Sequence, residues 1–76
     1  MRELLYKVVL VEMVEYEEDT WHEIDKFNSI EFALDLKKSV DHNISDCTSI
    51  KAKGRDIYIH SHNEYMCIVI LDEVDE

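Results

Sequence analysis

Apolar residues run almost unbroken along Leu4–Val14. Leu5, Val9, Val11 and Met13 share one side of an extended chain, and Tyr6, Val8, Leu10 and Val14 share the other; Lys7 and Glu12 are the only charges. A run apolar on both sides predicts a strand buried on both faces. The acidic stretch Glu15–Thr20 predicts a turn, and Trp21–Phe27 a shorter, more polar strand. The period then becomes helical. Ile30, Phe32, Ala33, Leu34, Leu36 and Val40 cover a broad arc of a helical wheel, broken only by Lys37. The spacing predicts a helix over Ser29–His42, with Asn28 as its cap and Glu31 completing a capping box. Cys47–Lys53, Ile57–Ser61 and Tyr65–Leu71 predict three further strands, with turns at Gly54–Arg55 and His62–Glu64. Asp72–Glu76 is an acidic end expected to fray.

The order is ββαβββ. The expected architecture is one α+β domain over residues 1–76, a single antiparallel sheet of five strands with one helix across one face. The first and fifth strands, the most apolar, are expected at the centre, with the second and fourth near the edges. One helix covers only one face of such a sheet. Tyr6, Val8, Leu10, Met66, Ile68 and Ile70 are therefore expected to form an uncovered apolar face that pairs two copies as a homodimer. Length supports that expectation. At 76 residues a single core is barely sufficient, and the two cysteines allow at most one disulfide. Met1–Leu4 lacks a secretory pattern, so Cys47 and Cys67, both placed inside strands, are read as reduced thiols of a cytoplasmic protein.

Charge adds a second theme. Eighteen Asp and Glu stand against eight Lys and Arg, a net charge of −10. That balance opposes direct binding to nucleic acid or to an anionic membrane. Glu12, Glu15, Glu17, Glu18, Asp19, Glu23 and Asp25 follow one another without an intervening Lys or Arg, and Asp72, Glu73, Asp75 and Glu76 close the chain. Lys37, Lys38, Lys51, Lys53 and Arg55 form a milder basic side. A hairpin centred on Glu18 and Asp19 would pair Tyr16 with Trp21, Val14 with Glu23 and Glu12 with Asp25. Glu12, Glu23 and Asp25 would then share a face with Tyr16 and Trp21. Carboxylates along one strand face stand ~6.6–6.8 Å apart, a spacing of the order of that between phosphates along a nucleic-acid strand. Tyr16 and Trp21 would add anchors of the kind enriched at binding hot spots. An acidic turn is also, more simply, a solvated face that keeps a small protein in solution.

Other chemistry is poorly supported. His60 and His62 have a metal-like spacing, and His42, Cys47 or Cys67 could complete a set, but no paired-ligand pattern accompanies them. Glu15–Asp19 lacks the glycine-containing order of a calcium loop. One glycine cannot build a phosphate cradle, and Cys67 lies in an apolar strand where a thiol is inert. No metal, no cofactor and no enzyme activity are expected.

In size and charge the chain resembles the short acidic inhibitors with which phages and mobile elements block host nucleases, repair enzymes and defence systems. That resemblance implies a protein-binding module whose partner is a larger protein with a basic surface. The contact residues would be Glu12, Glu15, Tyr16, Glu17, Glu18, Asp19, Trp21, Glu23 and Asp25. The alternatives are a homo-oligomeric accessory subunit acting through its apolar face, and a sponge for a nucleotide-like ligand at a dimer interface.

Overall fold

The computed structural model describes residues 2–75, so Met1 and the terminal acid Glu76 lie outside the described residues. Its elements are β1 (Arg2–Met13), β2 (Thr20–Phe27), α1 (Ile30–Asp46), β3 (Ser49–Ala52), β4 (Arg55–Tyr58) and β5 (Glu64–Asp75). The class is α+β, in the expected order of elements. The strands do not form one sheet, however. β2, β1 and β5 make a three-stranded antiparallel sheet, and β3 and β4 make a separate hairpin.

β1 is central, as expected. β5 is not: it pairs with β1 and stands at the edge. It continues through the acidic segment to Asp75, opposite Arg2, instead of stopping at Leu71.

Register assigns the faces. Val8 lies opposite Val69, Leu10 opposite Cys67, and Glu12 opposite Tyr65. Val8 and Leu10 are fully buried in a core with Ile24, Ala33, Val40, Ile50, Ala52 and Ile59, against which Tyr6 packs. Tyr6, Val8 and Leu10 therefore face the helix, which corrects their placement on an uncovered face. Met66, Ile68 and Ile70 lie opposite Val11, Val9 and Lys7 on the other side. The expected set is split because directly paired residues share a face, and here even positions of β1 pair with odd positions of β5.

The open side is apolar all the same. Val9 and Val11 are only 3% and 2% exposed. Each lies in a row between larger side chains, Glu23–Val9–Ile68 and Trp21–Val11–Met66. Trp21 and Met66 are 59% and 48% exposed.

Helix α1 starts at Ser29, whose extended backbone (φ −122°, ψ 128°) makes it the cap. Its hydroxyl makes no capping bond, so the capping box on Asn28 and Glu31 is not formed. Ala33 and Val40 are buried and Leu36 and Ile44 pack against the core, one stripe at helical spacing. Ile30, Phe32 and Leu34 remain about half exposed or more, because the apolar arc is wider than the sheet beneath it. The helix runs past His42 to Asp46 and ends on Cys47 in the left-handed conformation (φ 55°). The Cys47 N–H donates to the Ile44 carbonyl and the Thr48 N–H to that of Asn43, a Schellman closure with cysteine where glycine is usual. Cys47 is thus an exposed helix terminus and not a strand residue, while Cys67 is buried in the core.

The chain returns beside β2 as the β3–β4 hairpin. Lys53 and Gly54 form its two-residue turn with φ 51° and 80°, the signature of a type I′ turn. The turn is therefore Lys53–Gly54 and not Gly54–Arg55. No helix among the described residues is long and apolar enough to cross a membrane.

Candidate functional site

The β1–β2 connection carries four acids in the six residues 14–19. It is closed by a hydrogen bond from the Glu17 N–H to the Val14 carbonyl, 3.1 Å. Tyr16 is the third residue of this turn, with φ 67° and a side chain 97% exposed. Non-glycine residues in that region cost roughly 1–2 kcal/mol. The hairpin therefore turns around Tyr16. Glu12 pairs with Thr20 and not Asp25, a shift of five residues, and Val11 pairs with Trp21. An odd shift moves side chains to the opposite face. A bulge between Val8 and Val9 adds a further irregularity, leaving Ile24 as the extra, buried residue.

The expected carboxylate row is dissolved by this register. Glu12 points to the helix side. Its Oε1 lies 3.2 Å from Nε2 of His22, and its Oε2 accepts from the Tyr65 hydroxyl at 3.1 Å and the Asn63 amide at 3.2 Å. The Tyr65 oxygen in turn accepts the His60 N–H at 3.0 Å. Burial pushes the Glu12 carboxyl up, but the bonds from His22, Tyr65 and Asn63 together hold it below the ordinary glutamate value.

Glu23 is also occupied. Lys53 hydrogen-bonds its Oε2, and Lys26 and Lys7 lie 3.5 and 3.8 Å from its Oε1. The Lys53 bond, with the charges of Lys26 and Lys7, keeps this carboxyl low against a smaller opposing effect of burial. Asp25 accepts the N–H of Lys26 at 2.8 Å. Glu12 and Glu23 are thus internal ties, one joining β1, β2 and β5 and the other joining β2 to the β3–β4 turn.

Glu15, Glu17, Glu18 and Asp19 remain. All four are exposed and make no side-chain hydrogen bond or ion pair among the described residues. They surround Tyr16, and Trp21 follows at the start of β2, on the open face of the sheet. Glu15 also lines a cleft of about 450 Å³ with Met13, Val14, His62 and Glu64. The terminal acids Asp72 and Glu73 pair with Leu5 and Leu4 at the other end of β1, so the two acidic segments occupy opposite ends of a body 44 Å long.

Beside β2, a second cleft of about 550 Å³ holds Lys26, Lys51 and Lys53 together with Glu23, Asp25 and Leu36. The rings of His60 and His62 are 5.6 Å apart. Among the described residues no group of three or more His, Cys, Asp or Glu converges as a metal site requires. The Cys67 thiol is pushed up to about 11, chiefly by burial and then by Asp41, so it is a protonated core group.

The internal ties of Glu12 and Glu23 escaped the sequence pattern because their partners come from three strands and two connections. His22 within the acid run and Lys26 just after it were a signal of bases near acids, but one that carried no register. No protein-family model, curated protein or solved structure matches this chain.

Proposed function

We propose that this chain is a small acidic protein-binding module that occupies the basic surface of a larger nucleic-acid-binding or defence enzyme and inhibits it by standing in for nucleic acid. The observation that carries this reading is the turn around Tyr16. Its four carboxylates have no internal partner among the described residues, while Glu12 and Glu23 are tied into the fold. Free carboxylates meet the Arg and Lys that otherwise hold phosphates. Tyr16 and Trp21 supply exposed aromatic surface beside them. The contact set reduces to Glu15, Glu17, Glu18 and Asp19 with these two aromatics, and Asp25 at the flank. Action in the cytoplasm, as expected of a phage- or mobile-element-type inhibitor, suits two free thiols.

The test is capture of basic nucleic-acid-binding enzymes of the native host at low and at high salt. Capture should weaken as salt rises and disappear in the triple variant Glu17→Lys, Glu18→Lys, Asp19→Lys. Capture unaffected by that variant would overturn the reading.

A second reading is supported by the open sheet face, where Trp21, Met66, Ile68 and Ile70 surround the two valines. Two copies could cover that face as a homodimer, and the chain would then be an accessory subunit. Sedimentation would show a dimer that Ile68→Glu dissociates. The sponge for a nucleotide-like ligand has less support, since Glu23 and Asp25 stand among the three lysines of the larger cleft.

A further inference from the structure

We infer that the free edge of β5 receives an extended strand of the basic partner, one carrying Lys or Arg eight residues apart, and so widens the sheet from three strands to four. The inference rests on the reading above and specifies how the partner is held.

β5 is twelve residues long and pairs with β1 alone. In an antiparallel ladder, alternate residues bond the neighbouring strand and the intervening ones direct N–H and C=O away from it. On the far side of β5 no backbone partner is present among the described residues. Natural sheets guard such edges with charged side chains, chiefly Lys, and with Pro, bulges or short strands. Between Tyr65 and Leu71 β5 has none of these: the stretch contains no charge and no Pro, and the register with β1 is unbroken from Glu64 to Asp75. The opposite edge, β2, is guarded. It is bulged, carries Lys26, and is flanked by the β3–β4 hairpin through Lys53 and Glu23. One edge of the same sheet is closed and the other left open.

Charge selects the occupant. Glu64 and Asp72 bracket the apolar part of β5 and, eight residues apart, fall on the same face as Met66, Ile68 and Ile70. A second copy pairing antiparallel about Ile68 would set Glu64 against the other copy's Asp72 at both ends. Like charges directly opposite each other are unfavourable, and each chain already carries −10. A strand with a base at each end turns both contacts into ion pairs. Its central residues would cover Met66, which is half exposed. This is strand addition: main-chain bonds hold the segment, and alternate side chains read it.

The experiment uses the full chain and a nine-residue peptide of alternating Thr and Val with Lys at its first and last positions. A peptide with Glu at both ends is the control. Amide hydrogen exchange is followed by NMR. Alternate amides of β5 between Glu64 and Asp72, fast in the free protein, should slow at least tenfold with the Lys peptide and stay fast with the Glu peptide. Ile68→Lys, which restores an edge guard, should abolish the effect. No slowing on β5 with the Lys peptide would overturn the inference. So would protection of these amides in the free protein that grows with its concentration, which would assign the edge to a second copy. The charge-reversed turn variant separates the two readings. Slowing of β5 in that variant with capture intact overturns the reading above and leaves the strand, whereas capture lost on turn reversal with no slowing on β5 removes only the strand.

Discussion

Glu12 and His22 are diagonal neighbours across the β1–β2 ladder, His22 pairing with Leu10 and Glu12 with Thr20, and His22 Nε2 lies 3.2 Å from Glu12 Oε1. The other Glu12 oxygen takes the Tyr65 hydroxyl of β5. One carboxylate thus spans all three strands of the sheet at the end where the acidic turn begins.

Acid should loosen this tie. The Glu12 carboxyl sits below its ordinary value of 4.5, because the bonds from His22, Tyr65 and Asn63 outweigh the opposing effect of burial. A carboxyl lowered on folding contributes stability in full above its unfolded value, and the contribution is lost as pH falls through the folded value. Urea unfolding midpoints should be level above about pH 5 and fall below about pH 4.5. Glu12→Gln should cost about 1 kcal/mol at neutral pH and flatten that fall. Glu23, lowered by its lysines, leaves the remaining slope.

Tyr16 separates stability from binding. Its backbone lies at φ 67° in a position that glycine adopts freely. Tyr16→Gly should leave stability unchanged or raise it by up to about 1 kcal/mol, measured by thermal unfolding. The same change should weaken capture of a basic partner, since the exposed ring is lost.

The two cysteines should differ sharply towards a thiol reagent. Cys47 is exposed, while Cys67 is buried with its thiol pushed up to about 11. One equivalent should react in the native protein and the second only on unfolding. Cys47→Gly should stabilise by about 0.5–1 kcal/mol, because the left-handed helix terminus suits glycine.

The two faces of the sheet should respond differently to truncation. Leu10→Ala, at a fully buried position between β1 and the helix, should cost about 2–5 kcal/mol. Met66→Thr, on the open face and half exposed, should cost less than about 1 kcal/mol in a monomer. Chemical unfolding of both variants checks the difference.

The elements themselves were legible from periodicity. The apolar run at Leu4–Val14, the helical spacing of Ala33, Leu36 and Val40, and the apolar run at Tyr65–Leu71 all became the expected structures, with shifted ends. The sheet order was not legible. An apolar run on both faces looks the same in a central strand such as β1 as in β5, which stands at an edge. The candidate site was half legible: the free acids 15, 17, 18 and 19 were in the expected segment, but the roles of Glu12 and Glu23 were not readable. Register depends on where the turn falls, and Tyr16 gives no sequence sign of a left-handed backbone.

The sequence by itself determined an α+β domain, one amphipathic helix, and a concentration of acid between the first two strands. Hydrophobic period and charge are local quantities, and one chain suffices to read them. Only the tertiary structure decided which acids remain free, which apolar residues face the helix, and which strand has an open edge. Those outcomes follow from the β1–β2 and β1–β5 registers, from the sheet order, and from the path of the β3–β4 hairpin beside β2. Each depends on pairing between residues distant in sequence and is settled by the fold as a whole.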